Sequence, residues 1–177
     1  MRKRLAALGV ASLTAIVPPA WAQTAPAPHK PGAEIRSEGA YYVGNWEFTG
    51  DMAATPADKN KFRSGERLEW MPGGFFLMAR SYVGDAWSGT TVIGYDAARK
   101  VLTHTSYSAD GNVEVMTGTV QGDTEIWTGD GETGGKPARQ RMTIRRLSPT
   151  QYTFRFETAP ENGGWSLLYQ GQAFKTS

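Results

Sequence analysis

A period-two alternation of side-chain character organises the stretch Gly65–Lys100 and its flanks. Phe62 to Trp70 alternates, Met71-Pro72-Gly73-Gly74 interrupts, and Phe75 to Val83 resumes. Past Gly84-Asp85 the pattern runs from Trp87 to Tyr95 and stops at Asp96-Ala97-Ala98-Arg99. Successive strand side chains point to opposite faces, so the pattern predicts three β-strands joined by two turns, each with one face turned to a dry interior.

The same rhythm extends along the chain. Tyr41 to Thr49 reads as the first strand, with Gly44 marking a bend or close backbone approach, and a polar loop follows over 50–60. Further strands are expected over 100–107, 113–120, 124–129, 138–147, 152–158 and 165–175. Turn residues separate them, including Ala109-Asp110-Gly111-Asn112, Gln121-Gly122-Asp123 and Ser148-Pro149-Thr150. The 21 Gly and ten Pro fit a chain of many turns. No gap leaves room for a helical crossover, so neighbours should pair antiparallel. The expected fold is all-β, a single antiparallel up-and-down β-barrel of about ten strands with lipocalin-like (calycin-type) architecture.

The N-terminus reads differently. Arg2, Lys3 and Arg4 precede an apolar run from Leu5 to Val17, and Ala20-Trp21-Ala22 places small residues where a signal peptidase reads. A signal peptide over 1–22 is expected, with cleavage after Ala22 and delivery to the periplasm or medium. The run is too short to span a bilayer, which takes about 20 apolar residues. A flexible Pro/Ala-rich lead-in over 23–40, including His29 and room for a short helix over 32–40, should precede the barrel domain at 41–177. Without the three leader cations the 19 basic residues fall to 16 against 17 acidic, a net of −1. Nucleic acid and an anionic membrane surface are therefore poor partners. The absence of Cys excludes disulfides and a lipidated N-terminal cysteine, so the core alone must hold the domain.

Phase along each strand nominates the interior. Tyr152, Phe154 and Phe156 share one face, as do Met142 and Ile144, and as do Trp165, Leu167 and Tyr169. Trp46, Trp70, Trp87 and Trp127 on four strands bring more aromatic bulk than a thin sandwich needs, which favours a barrel that encloses something or is filled by these rings.

Several of these residues carry a resemblance. Gly44-x-Trp46, Glu69-Trp70-Met71-Pro72-Gly73-Gly74-Phe75-Phe76-Leu77, Ile93-Gly94-Tyr95-Asp96, Gly118-Thr119 and Gly134-x-Lys136-Pro137 resemble a bacterial domain-of-unknown-function family, secreted or cytosolic, with lipocalin-like architecture. The likeness covers Val43 to Lys175 and implies a calycin-type barrel without a settled reaction. Many members carry a Trp and an Asp where this chain has Thr103-His104-Thr105-Ser106, so no polar site transfers. Related nitrobindin-type barrels hold haem through a histidine near the C-terminal end, and 165–175 has none here. No cofactor is expected.

The chemistry-bearing residues are few. Gly129 to Lys136 imitates a phosphate loop, but the spacing is wrong, Pro137 replaces the hydroxyl residue and no helix follows, so a hairpin loop is expected. Asp130 and Glu132 lack the spacing of a calcium loop, and no metal is expected. No G-x-S-x-G elbow occurs, and no catalytic residue is assigned. His104, the one imidazole of the domain, reads either as a strand residue bonded to a neighbour or to solvent, or as a base or ligand inside the barrel. Glu66 is in phase with Phe62, Leu68 and Trp70. If it points inward it needs a partner, with Arg80 or Arg146 as candidates, whereas Glu69 beside Arg67 reads as a surface ion pair.

The expected function is a non-catalytic binding module holding a small apolar or amphipathic ligand among Trp46, Glu66, Trp70, Met78, Arg80, Tyr95, His104, Trp127, Met142, Phe154 and Tyr169. The alternatives are a solid-core structural or interaction protein of the envelope and a barrel enzyme using His104 with Tyr107.

Overall fold

The structure, a computed structural model, describes residues 30–53, 60–133 and 135–176. The expected leader and the first part of the lead-in, 23–29, lie outside these. Among the described residues one helix, α1 (Ala33–Tyr42), precedes ten strands: β1 (Gly44–Met52), β2 (Lys61–Trp70), β3 (Leu77–Val83), β4 (Ala86–Asp96), β5 (Val101–Ser108), β6 (Val113–Gln121), β7 (Thr124–Thr133), β8 (Lys136–Ser148), β9 (Gln151–Pro160) and β10 (Ser166–Thr176). Each strand pairs antiparallel with its sequence neighbours, and β1 pairs with β10 from Asn45↔Thr176 to Met52↔Tyr169, closing the barrel. Closure leaves no sheet edge to pair with another chain.

The expected all-β up-and-down barrel is therefore the observed fold, with three departures in phase and extent. The first lies at the start of the domain. Tyr41 and Tyr42 belong to α1 rather than to the first strand, and the second half of the lead-in is helical. The helix buries Ile35, Glu38, Gly39 and Tyr42, a spacing that keeps one face on the barrel end. No side chain caps Gly32 at its start, so packing rather than capping holds it. The turn into β1 is made at Gly44, whose φ of +130° is closed to ordinary L-residues.

The second departure is a bulge in β10. Leu167 pairs with Glu157 and Tyr169 with the next residue, Phe156, so Leu168 is an extra residue in the ladder. That slip keeps Tyr169 inward while Trp165 passes to the outer surface, where the Arg141 guanidinium lies 4.3 Å from its ring centre. The expected common face of Trp165, Leu167 and Tyr169 is not formed. The β7–β8 hairpin is also longer than expected, its strands running to Thr133 and from Lys136, which absorbs most of the glycine-rich loop into the sheet.

The two barrel ends differ. The end formed by the start of β1 and the turn between β2 and β3 is covered by α1. There the rings of Tyr42, Trp46, Phe48, Tyr152 and Phe154 form a continuous cluster with centroid separations of 4.9 to 6.4 Å. Trp46 and Trp127 are 1% and 2% exposed, whereas Trp70 and Trp87 are 37% and 48% exposed. Half of the four tryptophans expected inside thus reach the surface.

Candidate functional site: a mostly apolar cavity with Glu66 and His104 on its wall

Inside the barrel lies a cavity of about 360 Å³. Its walls come from alternate residues of most strands, among them Phe48 of β1, Phe62 and Leu68 of β2, Ile93 of β4, Trp127 of β7, Met142 and Ile144 of β8, and Phe154 of β9. Tyr42 of α1 and Tyr152 reach it at the capped end, and half-exposed Met52 lines it toward the other. The size falls at the low end of ligand pockets, roughly 300–1,000 Å³.

Two ionisable side chains, Glu66 and His104, stand on this mostly apolar surface beside the hydroxyls of Ser64, Ser81 and Thr91. Glu66 points inward, as expected, but neither Arg80 nor Arg146 reaches it. Its partner is the Ser81 hydroxyl on the adjacent strand, donating to Oε1 at 2.8 Å. The area Glu66 keeps accessible is cavity wall, and burial pushes its carboxyl pKa up, partly offset by the Ser81 bond. The other group is His104 of β5. Its ring centre lies 5.6 Å from that of Trp127, and its Nδ1 is buried without a hydrogen-bond partner. Burial pushes the imidazole down to about 4, so it is neutral near pH 7. Beside it on the same wall, Thr91 and Ser106 hydroxyls are hydrogen-bonded to each other.

Of the residues nominated from sequence, Glu66, His104, Trp127, Met142, Phe154 and Tyr169 share this cavity. Trp46 is buried in the aromatic cluster next to it, donating from Nε1 to the Tyr42 carbonyl at 2.7 Å, and is not part of the wall. Trp70 and Tyr95 have the inward phase but lie at the capped end, packed against α1 and its lead-in. Met78 and Arg80 face outward, because Leu77, Ala79 and Ser81 take the inward positions of β3. Arg80 donates to Glu69 at 2.7 Å outside the barrel, where Arg67 also approaches Glu69, at 3.6 Å. Tyr107 is 49% exposed on the opposite face of β5 from His104, so the two are not brought together. β10 presents no histidine, so the haem-holding arrangement of the nitrobindin-type barrels has no counterpart on that strand.

Sequence reasoning missed a polar cluster that seals the capped end. Arg146 donates from Nη2 to Glu38 of α1 at 2.6 Å and from Nε to Glu125 of β7 at 2.8 Å. Glu125, fully buried, also accepts from the Tyr42 hydroxyl at 2.5 Å and from Trp127 Nε1 at 3.1 Å. One guanidinium thus serves two carboxylates. Burial, then the Glu125 charge, raises Glu38 to about 7 against the opposing pull of Arg146. The inward phase of Glu125 with Trp127 was the available signal for this cluster.

The model of the family described as "Protein of unknown function (DUF1579)" matches residues 40–173. The chain belongs to the DUF1579 family. The match covers every strand from β1 to β9 and most of β10, so the barrel with its cavity is the family's domain. No curated protein matches the chain. Among solved structures, that of Rv2717c from M. tuberculosis is similar, at 12% identity and a TM-score of 0.53, over 84% of this chain and 100% of that one. At that identity the likeness is one of fold. A de novo designed fluorescence-activating β-barrel aligns at 15% identity and a TM-score of 0.33, over 78% of this chain and 97% of that chain.

Proposed function

We propose that this DUF1579 protein is an exported, non-catalytic binding module that holds one small apolar or amphipathic molecule inside the barrel. The observation that carries the reading is the cavity of about 360 Å³, walled by aromatic and aliphatic side chains and broken only by sparse polar groups. A protein interior is normally close-packed, and a void of this size forfeits contact energy unless something occupies it. Sparse polar groups on an apolar wall orient an amphipathic guest.

A filled, purely structural barrel is the less well supported reading for the same reason. An enzyme built on His104 lacks the hydrogen-bonded partner that orients a general base.

Export rests on the leader pattern Arg2-Lys3-Arg4, the apolar run and Ala20-Trp21-Ala22. The mature protein is proposed to begin at Gln23, and an exported form that retains Met1 would contradict this. Native mass spectrometry of the full-length protein purified from its exporting host tests the binding reading. A single small-molecule adduct that is lost on mild activation is expected. Protein without an adduct that also fails to bind 1-octanol would overturn it.

A further inference from the structure

Among the described residues, Glu66 is the only Asp, Glu, Lys or Arg on the cavity wall. No Lys or Arg among them lines the cavity, and the two arginines expected as partners for Glu66 are engaged elsewhere. Arg80 pairs with Glu69 on the outside, and Arg146 is held by Glu38 and Glu125 beneath α1. Glu66 receives one hydrogen bond among the described residues, at Oε1 from Ser81. A buried carboxylate with one neutral hydroxyl for a partner is poorly solvated, and burial accordingly raises its pKa. A cation placed beside it would relieve that cost.

The remainder of the wall suits the same guest. The rings of Phe62, Phe154 and Tyr169 meet pairwise with centroids 6.1 to 6.3 Å apart, in tilted or edge-to-face geometry. Aromatic faces attract a desolvated ammonium and tolerate an alkyl body equally well. An anion meets the opposite conditions: no cationic partner and one carboxylate that repels it.

We infer that the cavity selects a small organic cation, an amine of amphipathic build whose ammonium donates to the Glu66 carboxylate while its apolar body lies against the aromatic wall. This rests on the binding reading above and narrows it to a ligand class.

The test uses three probes of one chain length: octylamine, 1-octanol and octanoate, titrated calorimetrically into the full-length protein at about pH 7.5, where the amine is protonated and the acid ionised. Octylamine is expected to bind roughly tenfold or more tighter than octanol, with octanoate weakest. Glu66→Gln, which keeps shape and an acceptor for Ser81, should remove the amine's advantage over octanol; an advantage that persists in this variant overturns the assignment to Glu66. If that variant loses its β-barrel circular dichroism, the order of the three probes on the wild-type protein decides alone. Octanol binding as tightly as octylamine or more tightly overturns the cation inference and leaves the binding reading standing. No binding of any probe overturns both.

Discussion

Arg146 on β8 reaches Glu38 on α1 at 2.6 Å, and this contact fastens the helix to the barrel end. The same guanidinium also neutralises Glu125, which is 0% exposed. Removing a shared cation strands two buried carboxylates, a larger penalty than the pair's net worth. Arg146→Met is therefore expected to cost about 3–5 kcal/mol of unfolding free energy by urea titration. A loss under about 1 kcal/mol would place the pair among solvent-screened contacts and contradict its buried role.

The pH dependence of stability should expose two opposed groups. Glu38 binds its proton more tightly when folded, at about 7 against an ordinary 4.5. Between those values the native state holds more protons than the unfolded chain, so Glu38 lowers stability as pH rises. His104, at about 4 against 6.5, binds its proton less tightly when folded and lowers stability as pH falls through that window. The two slopes oppose each other from about pH 4.5 to 6.5. Glu38→Gln should therefore steepen the acid-side loss, and His104→Gln should reverse it. Each change is on the order of 1–3 kcal/mol across the window, read from melts at a series of pH values. Glu66, also raised by burial, adds to the Glu38 direction. Identical profiles for wild type and both variants would contradict the burial of these groups.

Gly39 of α1 lies flat on the Trp70 indole. A Cβ placed on it would stand 1.8 Å from the ring, well inside any real contact. Helix propensity alone favours Gly39→Ala by about 1 kcal/mol, but the clash opposes it by about 1–3 kcal/mol or more. Net destabilisation is expected in thermal melts. In a Trp70→Ala background the same change should become neutral or stabilising, and an unchanged penalty there would contradict direct contact between helix and indole.

Much of the barrel was legible because each strand with one dry face must alternate. The phase of Tyr152, Phe154 and Phe156, and of Met142 and Ile144, followed from that rule alone. The same rule put Glu66 in phase with Phe62, Leu68 and Trp70, whereas it left His104 open between the wall and the outside. It failed where the covalent count and the pairing count part company. The extra residue at Leu168 in β10 sends Trp165 to the surface, and nothing in the local composition marks the bulge. On β3, Met78 and Arg80 were expected inside, but small Ala79 and Ser81 take the inward positions, which is what leaves room for a cavity. The helix α1 was weakly signalled because it is held by tertiary contacts of Ile35, Glu38 and Tyr42, not by caps or propensity. The cap cluster was hidden because a distant Arg and two Glu become partners only once the barrel closes, 21 and 108 residues apart.

The central claim is that the interior admits a guest. The direct measurement is saturable 1-octanol binding by titration calorimetry, compared between the wild-type protein and Ala79→Phe, which projects a ring from the inward face of β3 into the cavity. Far-UV circular dichroism confirms that the variant keeps its fold. One site in the wild type and at least about tenfold weaker binding in the filled variant is predicted. Equal binding by the two proteins, or none by the wild type, would contradict it.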